Sequence, residues 1–147
     1  MLIQKGKSFM AKSREDLVRW AIDKAEQYLK SAKANLDEGR LYPAAEDIFR
    51  AMEISLEALL YHNGIRKIEY PGKKKKFTGR LALQFLIRDT LLKRGKIKKE
   101  VYDKYFELAT DLHSGGYEFG MYFEKNDLIK EFEFVEDFLL FVTSQTK

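Results

Sequence analysis

The alternation of apolar and polar positions follows a helical period from Ser13 almost to the end of the chain. Leu17, Ala21, Ala25, Tyr28, Ala32 and Leu36 recur at steps of three and four, the spacing that lines one face of an α-helix. Ser13 followed by Asp16 predicts the start of this first helix: a hydroxyl meets a free backbone amide, and an acid sits at the positive end of the dipole. Gly39 ends it. A second helix is predicted from Tyr42-Pro43, where proline suits the first turn, to Asn63-Gly64. Here two rows are apolar or small, Ala45, Ile48, Met52, Leu56 and Leu59 in one and Ala51, Ile54, Ala58 and Tyr61, opened by Asp47, in the other. Glu46, Arg50, Glu53 and Glu57 fill the narrow remaining stripe. A helix with so wide an apolar arc belongs in the middle of a bundle. Its polar stripe therefore faces solvent, a partner subunit or a site.

Beyond Gly64 the stretch Ile65–Lys76 contains Pro71, Gly72 and the run Lys73 to Lys76, and reads as an exposed loop. A third helix follows from Thr78 or Gly79 to Arg94, with Leu81, Phe85, Leu86 and Leu92 predicted to be buried. A fourth runs from about Lys98 to His113 on Val101, Tyr105, Leu108 and Leu112. Gly115-Gly116 breaks it, and Tyr117 to Glu124 is an aromatic loop. The fifth helix is predicted to be capped by Asn126 and to bury Leu128, Phe132, Val135, Leu139 and Val142. No strand pattern competes. Short loops between long amphipathic helices predict an all-α, up-and-down bundle of four to five helices. The domain spans 13–147 behind a flexible leader, 1–12, in which Met10 is an alternative start.

Composition narrows the chemistry. There are no cysteines, which removes disulfides, thiolate catalysis and cysteine-bound zinc. The longest apolar run, Phe138 to Val142, is far short of the ~18–20 residues that cross a bilayer, so the expected location is the cytoplasm, away from membranes. The net charge of +4 conceals a segregation. Residues 1–63 are balanced, 64–104 carry fourteen basic side chains against four acidic ones, and 105–147 carry three against nine. This reads either as two solvated faces or as a basic face for RNA or phosphate and an acidic face for a partner. No Gly-rich phosphate loop, nucleophile elbow or HExxH motif is present. Nor is there a Glu-x-x-His tetrapeptide for a di-iron bundle, and neither a metal nor a cofactor is expected.

The order of short motifs resembles the HEPN domain family. It is carried by Gly39-Arg40-Leu41-Tyr42, Ala44-Ala45, Phe49-Arg50-Ala51-Met52-Glu53, Leu59-Leu60-Tyr61-His62-Asn63-Gly64, Gly79, Phe85, Arg94-Gly95-Lys96-Ile97 and Gly115-Gly116-Tyr117, over roughly residues 13–145. The resemblance implies a helical bundle, often a homodimer. Relatives occur beside minimal nucleotidyltransferases in toxin–antitoxin pairs and in RNA-processing systems. Many such proteins are metal-independent ribonucleases with an arginine followed four to six residues later by histidine, contributed near the dimer cleft by both subunits. This chain departs from that pattern. No arginine lies between Gly95 and His113, Leu112 and Ser114 flank that histidine, His62 follows Arg50 by twelve positions, and Phe77 stands where relatives often have histidine.

The leading expectation is therefore a domain that binds a nucleotide, RNA or a nucleotidyltransferase-type partner without the usual ribonuclease motif. A divergent ribonuclease using His113, with a basic residue such as Arg88 or Arg94 or one from the partner subunit, is the alternative. A purely structural interaction module is a third. His113 and His62 both sit at helix C-termini, where the dipole favours the cation, a role that needs no substrate. Glu46, Arg50 and Glu53 are either a solvated face with an i,i+4 Glu46–Arg50 pair or the lining of a dimer cleft. Lys73, Lys74, Lys75, Lys76 and Arg80 are candidates for holding a phosphate backbone. Tyr117, Phe119, Tyr122 and Phe123 either stack bases or pack the loop onto the end of the bundle.

Overall fold

The computed structural model describes residues 13–147; the predicted leader, 1–12, lies outside the described residues. Five α-helices make the bundle: α1 (Arg14–Asp37), α2 (Leu41–His62), α3 (Gly79–Leu86), α4 (Lys99–Leu108) and α5 (Lys125–Gln145). Ser13 caps α1, its side chain accepting from the Asp16 amide at 3.0 Å. α1 and α2 form a helical hairpin, and α2 also packs on α5 and on the turns that extend α3 and α4. Both apolar rows of α2 are buried from Ala45 to Tyr61, with Ile48, Phe49, Met52 and Leu56 fully enclosed. Only Asp47, which opens the second row, leaves this pattern. It accepts from Ser31 (2.6 Å) and Asn35 (2.9 Å) and so ties the two hairpin helices together.

The predicted loop before α3 contains a small antiparallel ladder, β1 (Glu69–Tyr70) against β2 (Phe77–Thr78), with Glu69 opposite Thr78. Two residues per strand leave no alternation to detect in the sequence. The lysine run is the turn of this hairpin, and β2 leads directly into α3. The direction changes at Gly79, whose φ of +67° is strained for any residue with a Cβ. The chain thereby delivers Arg80 to the bundle at the second position of α3.

Two helices do not end where their α-helical hydrogen bonds end. α3 continues as a π-helical turn, Ile87–Leu92, and α4 as another, Ala109–Ser114, followed by a 3₁₀ turn, Gly115–Tyr117. The Lys93 amide donates to the Arg88 carbonyl and the Gly115 amide to the Thr110 carbonyl, five residues back. The observed inward face corrects the predicted row of α3. Ala82, Leu83, Leu86, Ile87, Thr90 and Leu91 are buried, Leu81 is exposed, and Phe85 and Leu92 are half-buried. In α4 Tyr105, Leu108 and Leu112 are buried as the period predicts, while Val101 is partly covered. In α5 the cap position is Glu124, not Asn126, which lies exposed inside the first turn; Phe132 is half-buried and Leu128, Val135, Leu139 and Val142 are core. No described helix is long and apolar enough to cross a membrane.

Candidate functional site

The polar stripe of α2 does not face bulk solvent. Its centre, Glu53, is 2% exposed, and a buried carboxylate persists only with partners for its charge and its lone pairs. Arg80 supplies a fork, Nε to Oε2 at 2.8 Å and Nη2 to Oε1 at 3.0 Å. Tyr105 donates its hydroxyl to Oε2 at 2.6 Å, and Arg50 donates to Oε1 from one helical turn away. Burial pushes the Glu53 carboxyl up, but the Arg80 and Tyr105 hydrogen bonds and the charges of Arg80 and Arg50 outweigh it, so the net displacement is downward. The Arg80 guanidinium is raised by its hydrogen bond to Glu53. Tyr105 is raised by burial and by the Glu53 charge. Three side chains from three helices are thus locked onto one carboxylate.

Arg80 also reaches His113, with Nη1 3.2 Å from Nε2. On the other side of the ring Nδ1 lies 2.9 and 3.0 Å from the two oxygens of Glu46. Arginine only donates, so Nε2 accepts and Nδ1 carries the hydrogen given to Glu46. This assigns the tautomer from the partners. Phe49 forms the floor. His113 stacks on it at 5.0 Å and 26°, the Arg80 guanidinium sits 5.0 Å from its ring centre, and Tyr105 lies parallel at 6.0 Å. Tyr117 meets the His113 ring edge-to-face at 5.5 Å. The His113 and Arg80 side chains remain 25% and 36% exposed, so the pair is reachable from solvent. Arg80 has five N–H groups, and those contacts leave one on each terminal nitrogen. The result is an oriented imidazole beside a fixed cation with spare donors.

Sequence-predicted residues are redistributed by this geometry. Glu46, Arg50, Glu53, Arg80, His113 and Tyr117 come together, the arginine and the histidine from different helices. The anticipated Glu46–Arg50 pair is absent: Glu46 turns to His113, while Arg50 turns to Glu53 and lies over the Tyr28 ring of α1. Arg88 is not the cation beside His113. It is held by Asp89 (2.8 and 3.1 Å) and Tyr70 (3.2 Å). Arg94 is exposed after the π turn. Of the lysines, Lys76 pairs with Glu69 at 2.6 Å, and Lys73, Lys74 and Lys75 are exposed at the hairpin turn. His62 stays at the C-terminus of α2, its carbonyl accepting from Arg14. Tyr105 was legible in the sequence only as a core position, and Phe49 only as part of the motif on α2 that carries the resemblance. Their signal is indirect, since Glu46, Phe49 and Glu53 recur at helical spacing on one side of α2.

The model of the archaeal PaREP1/PaREP8 family matches residues 21–136, most of the chain and every residue of this network. The chain belongs to that family. Neither a curated protein nor a solved structure matches it. Within this PaREP1/PaREP8 chain, no group of three or more His, Asp or Glu among the described residues is placed to hold a metal ion. The described chemistry is that of arginine, histidine and two carboxylates.

Proposed function

We propose that this PaREP1/PaREP8 chain is an HEPN-like domain that cleaves RNA without a metal, at Arg80 and His113. One observation carries the reading: a solvent-reachable arginine lies 3.2 Å from the Nε2 of a histidine whose Nδ1 is fixed by a carboxylate. Arg80 Nη1–H turns from Nε2 to the phosphate, and the nitrogen so freed takes the proton of a ribose 2′-hydroxyl. That oxygen attacks the adjacent phosphorus, the bond to the 5′-oxygen breaks, and a 2′,3′-cyclic phosphate remains. The spare Arg80 donors meet the charge that grows on the phosphoryl oxygens, where fixed donors are most effective. Glu46 keeps the imidazole oriented and supports the imidazolium once it forms.

The departing 5′-oxygen needs a proton, and each chain offers one imidazole at the site. A homodimer with two such sites at a cleft, as the HEPN resemblance implies, provides a second one; a nucleotidyltransferase-type partner in a toxin–antitoxin or other RNA-related system belongs to the same proposal. Binding of nucleotide or RNA without cleavage is the second reading. It is favoured by the carboxylates of Glu53 and Glu46, which together balance Arg50 and Arg80 and leave the cluster little net positive charge.

Labelled single-stranded RNA incubated with the protein in excess chelator separates the two. Cleavage to 2′,3′-cyclic ends, lost in His113→Ala and in Arg80→Ala and absent with a 2′-O-methyl substrate, is the expected result. RNA that is bound but left intact sinks the nuclease reading and retains the binding one.

A further inference from the structure

The 3₁₀ turn and the loop that follows it turn three rings to solvent. Tyr117 is 78% exposed, Tyr122 84% and Phe119 fully so. Packing the loop onto the bundle end holds only for Phe123, which is half-buried and edge-to-face with Tyr42 at 5.4 Å. The loop is nevertheless tethered. The Tyr42 hydroxyl donates to the Met121 carbonyl. Gly120 makes the turn at a φ of +78°. The rings are outward while the backbone beneath them is fixed. Water contact over that much aromatic surface is unfavourable, and exposed apolar surface of this kind marks a binding face.

Which occupant it fits follows from continuity with the site, because the Tyr117 ring touches the His113 ring. We propose that Tyr117 is a stacking platform for the unpaired base of the nucleotide whose ribose and phosphate lie at His113 and Arg80, so that the substrate class is single-stranded RNA. Phe119 and Tyr122, on the same loop, offer further faces to neighbouring bases. A ring face accepts any base, so this selects strandedness and not sequence. Bases inside a duplex are already stacked and cannot reach such a ring without unpairing. The inference rests on the Arg80–His113 reading and adds to it what sits beside the reacting phosphate.

The test uses one RNA carrying 2-aminopurine, offered single-stranded and annealed to its complement, with cleavage in chelator and affinity measured for both. Quenching of the probe, preference for the single strand, and a roughly 5- to 150-fold weaker affinity for Tyr117→Ala are expected, from the usual worth of one stacked base. Tyr117→Phe should keep the affinity, since it keeps the ring. A folding defect is separable by the thermal midpoint, which an exposed ring should leave unchanged. If the wild type cleaves but Tyr117→Ala binds as well, or the duplex is cleaved equally, stacking is overturned and the nuclease reading stands. If the rings instead change only the oligomeric state, in gel filtration without RNA, stacking is likewise overturned. Wild-type protein that neither binds nor cleaves RNA overturns both.

Discussion

Glu53→Gln is the sharpest probe of the network, because it keeps shape and removes charge. The carboxylate accepts two bonds from Arg80, one from Tyr105 and one from Arg50. A glutamine must turn its amide nitrogen toward one pair of these donors. With the nitrogen at the Oε2 position the Tyr105 hydroxyl can rotate to accept, but Arg80 Nε–H then faces N–H and loses its bond. Breaking a buried ion pair from one side costs about 3–5 kcal/mol. Here Arg80 and Arg50 keep 36% and 25% of their side chains in contact with water, which compensates the stranded cations in part, so the expected loss is about 2–4 kcal/mol. For a chain of this size that is a fall in thermal midpoint of about 4–16 °C.

The pH dependence has a definite sign. The Glu53 carboxyl lies below its ordinary range in the folded chain, so its contribution is present at neutral pH. It disappears as pH falls below the usual glutamate range and through the folded value. Urea melts at pH 7 and pH 3 should therefore show wild type and Glu53→Gln converging in acid. A cycle with Arg80→Gln should give a coupling of about 1–3 kcal/mol at pH 7. A variant within about 0.5 kcal/mol of wild type at pH 7, or additive single effects, would refute the assignment of Glu53 as the hub.

Glu57, next along the stripe, should behave in the opposite sense. Burial and the Glu53 charge raise its carboxyl, and Tyr61 beside it is pushed up to about 12. Ionising Glu57 then opposes folding as pH rises through its folded value, so Glu57→Gln should be more stable than wild type at pH 7 and indistinguishable near pH 4; a lower midpoint at pH 7 excludes this. Replacing Lys73, Lys74 and Lys75 with glutamine should weaken RNA binding and make the slope of log affinity against log salt shallower by about 2. An unchanged slope removes the hairpin turn from the RNA path.

The bundle was readable in the sequence because burial there repeats at 3.6 residues. Ala21, Ala25 and Ala32 on α1, or Leu128, Val135 and Leu139 on α5, are core wherever the helix lies. Leu81 is exposed while Ala82 and Leu83 are buried; three consecutive apolar residues stand there, and nothing local marks which of them turns inward. The site was half readable. Glu46 and Glu53 stood out as polar positions on an otherwise apolar helix, yet their partners lie 67 and 27 residues away. A rule that seeks arginine and histidine on one helix cannot find Arg80 and His113. They meet because Gly79 turns the chain into α3 beside α2, an effect of tertiary packing and not of spacing.

The π turn that carries His113 also fixes what kind of sequence change the site tolerates. A helix with one residue too many in a turn holds that residue only while its neighbours are pinned. Excision of one residue from the segment Ala109–Ser114 would leave the later residues near their present direction, whereas a change that lets the whole segment wind as an ordinary α-helix rotates each of them by about 100°. The imidazole would swing off Phe49 and away from both Glu46 and Arg80, with every active side chain still present in the gene. The winding of the chain between Tyr105 and Gly115 is therefore as much a part of this centre as the identity of its histidine.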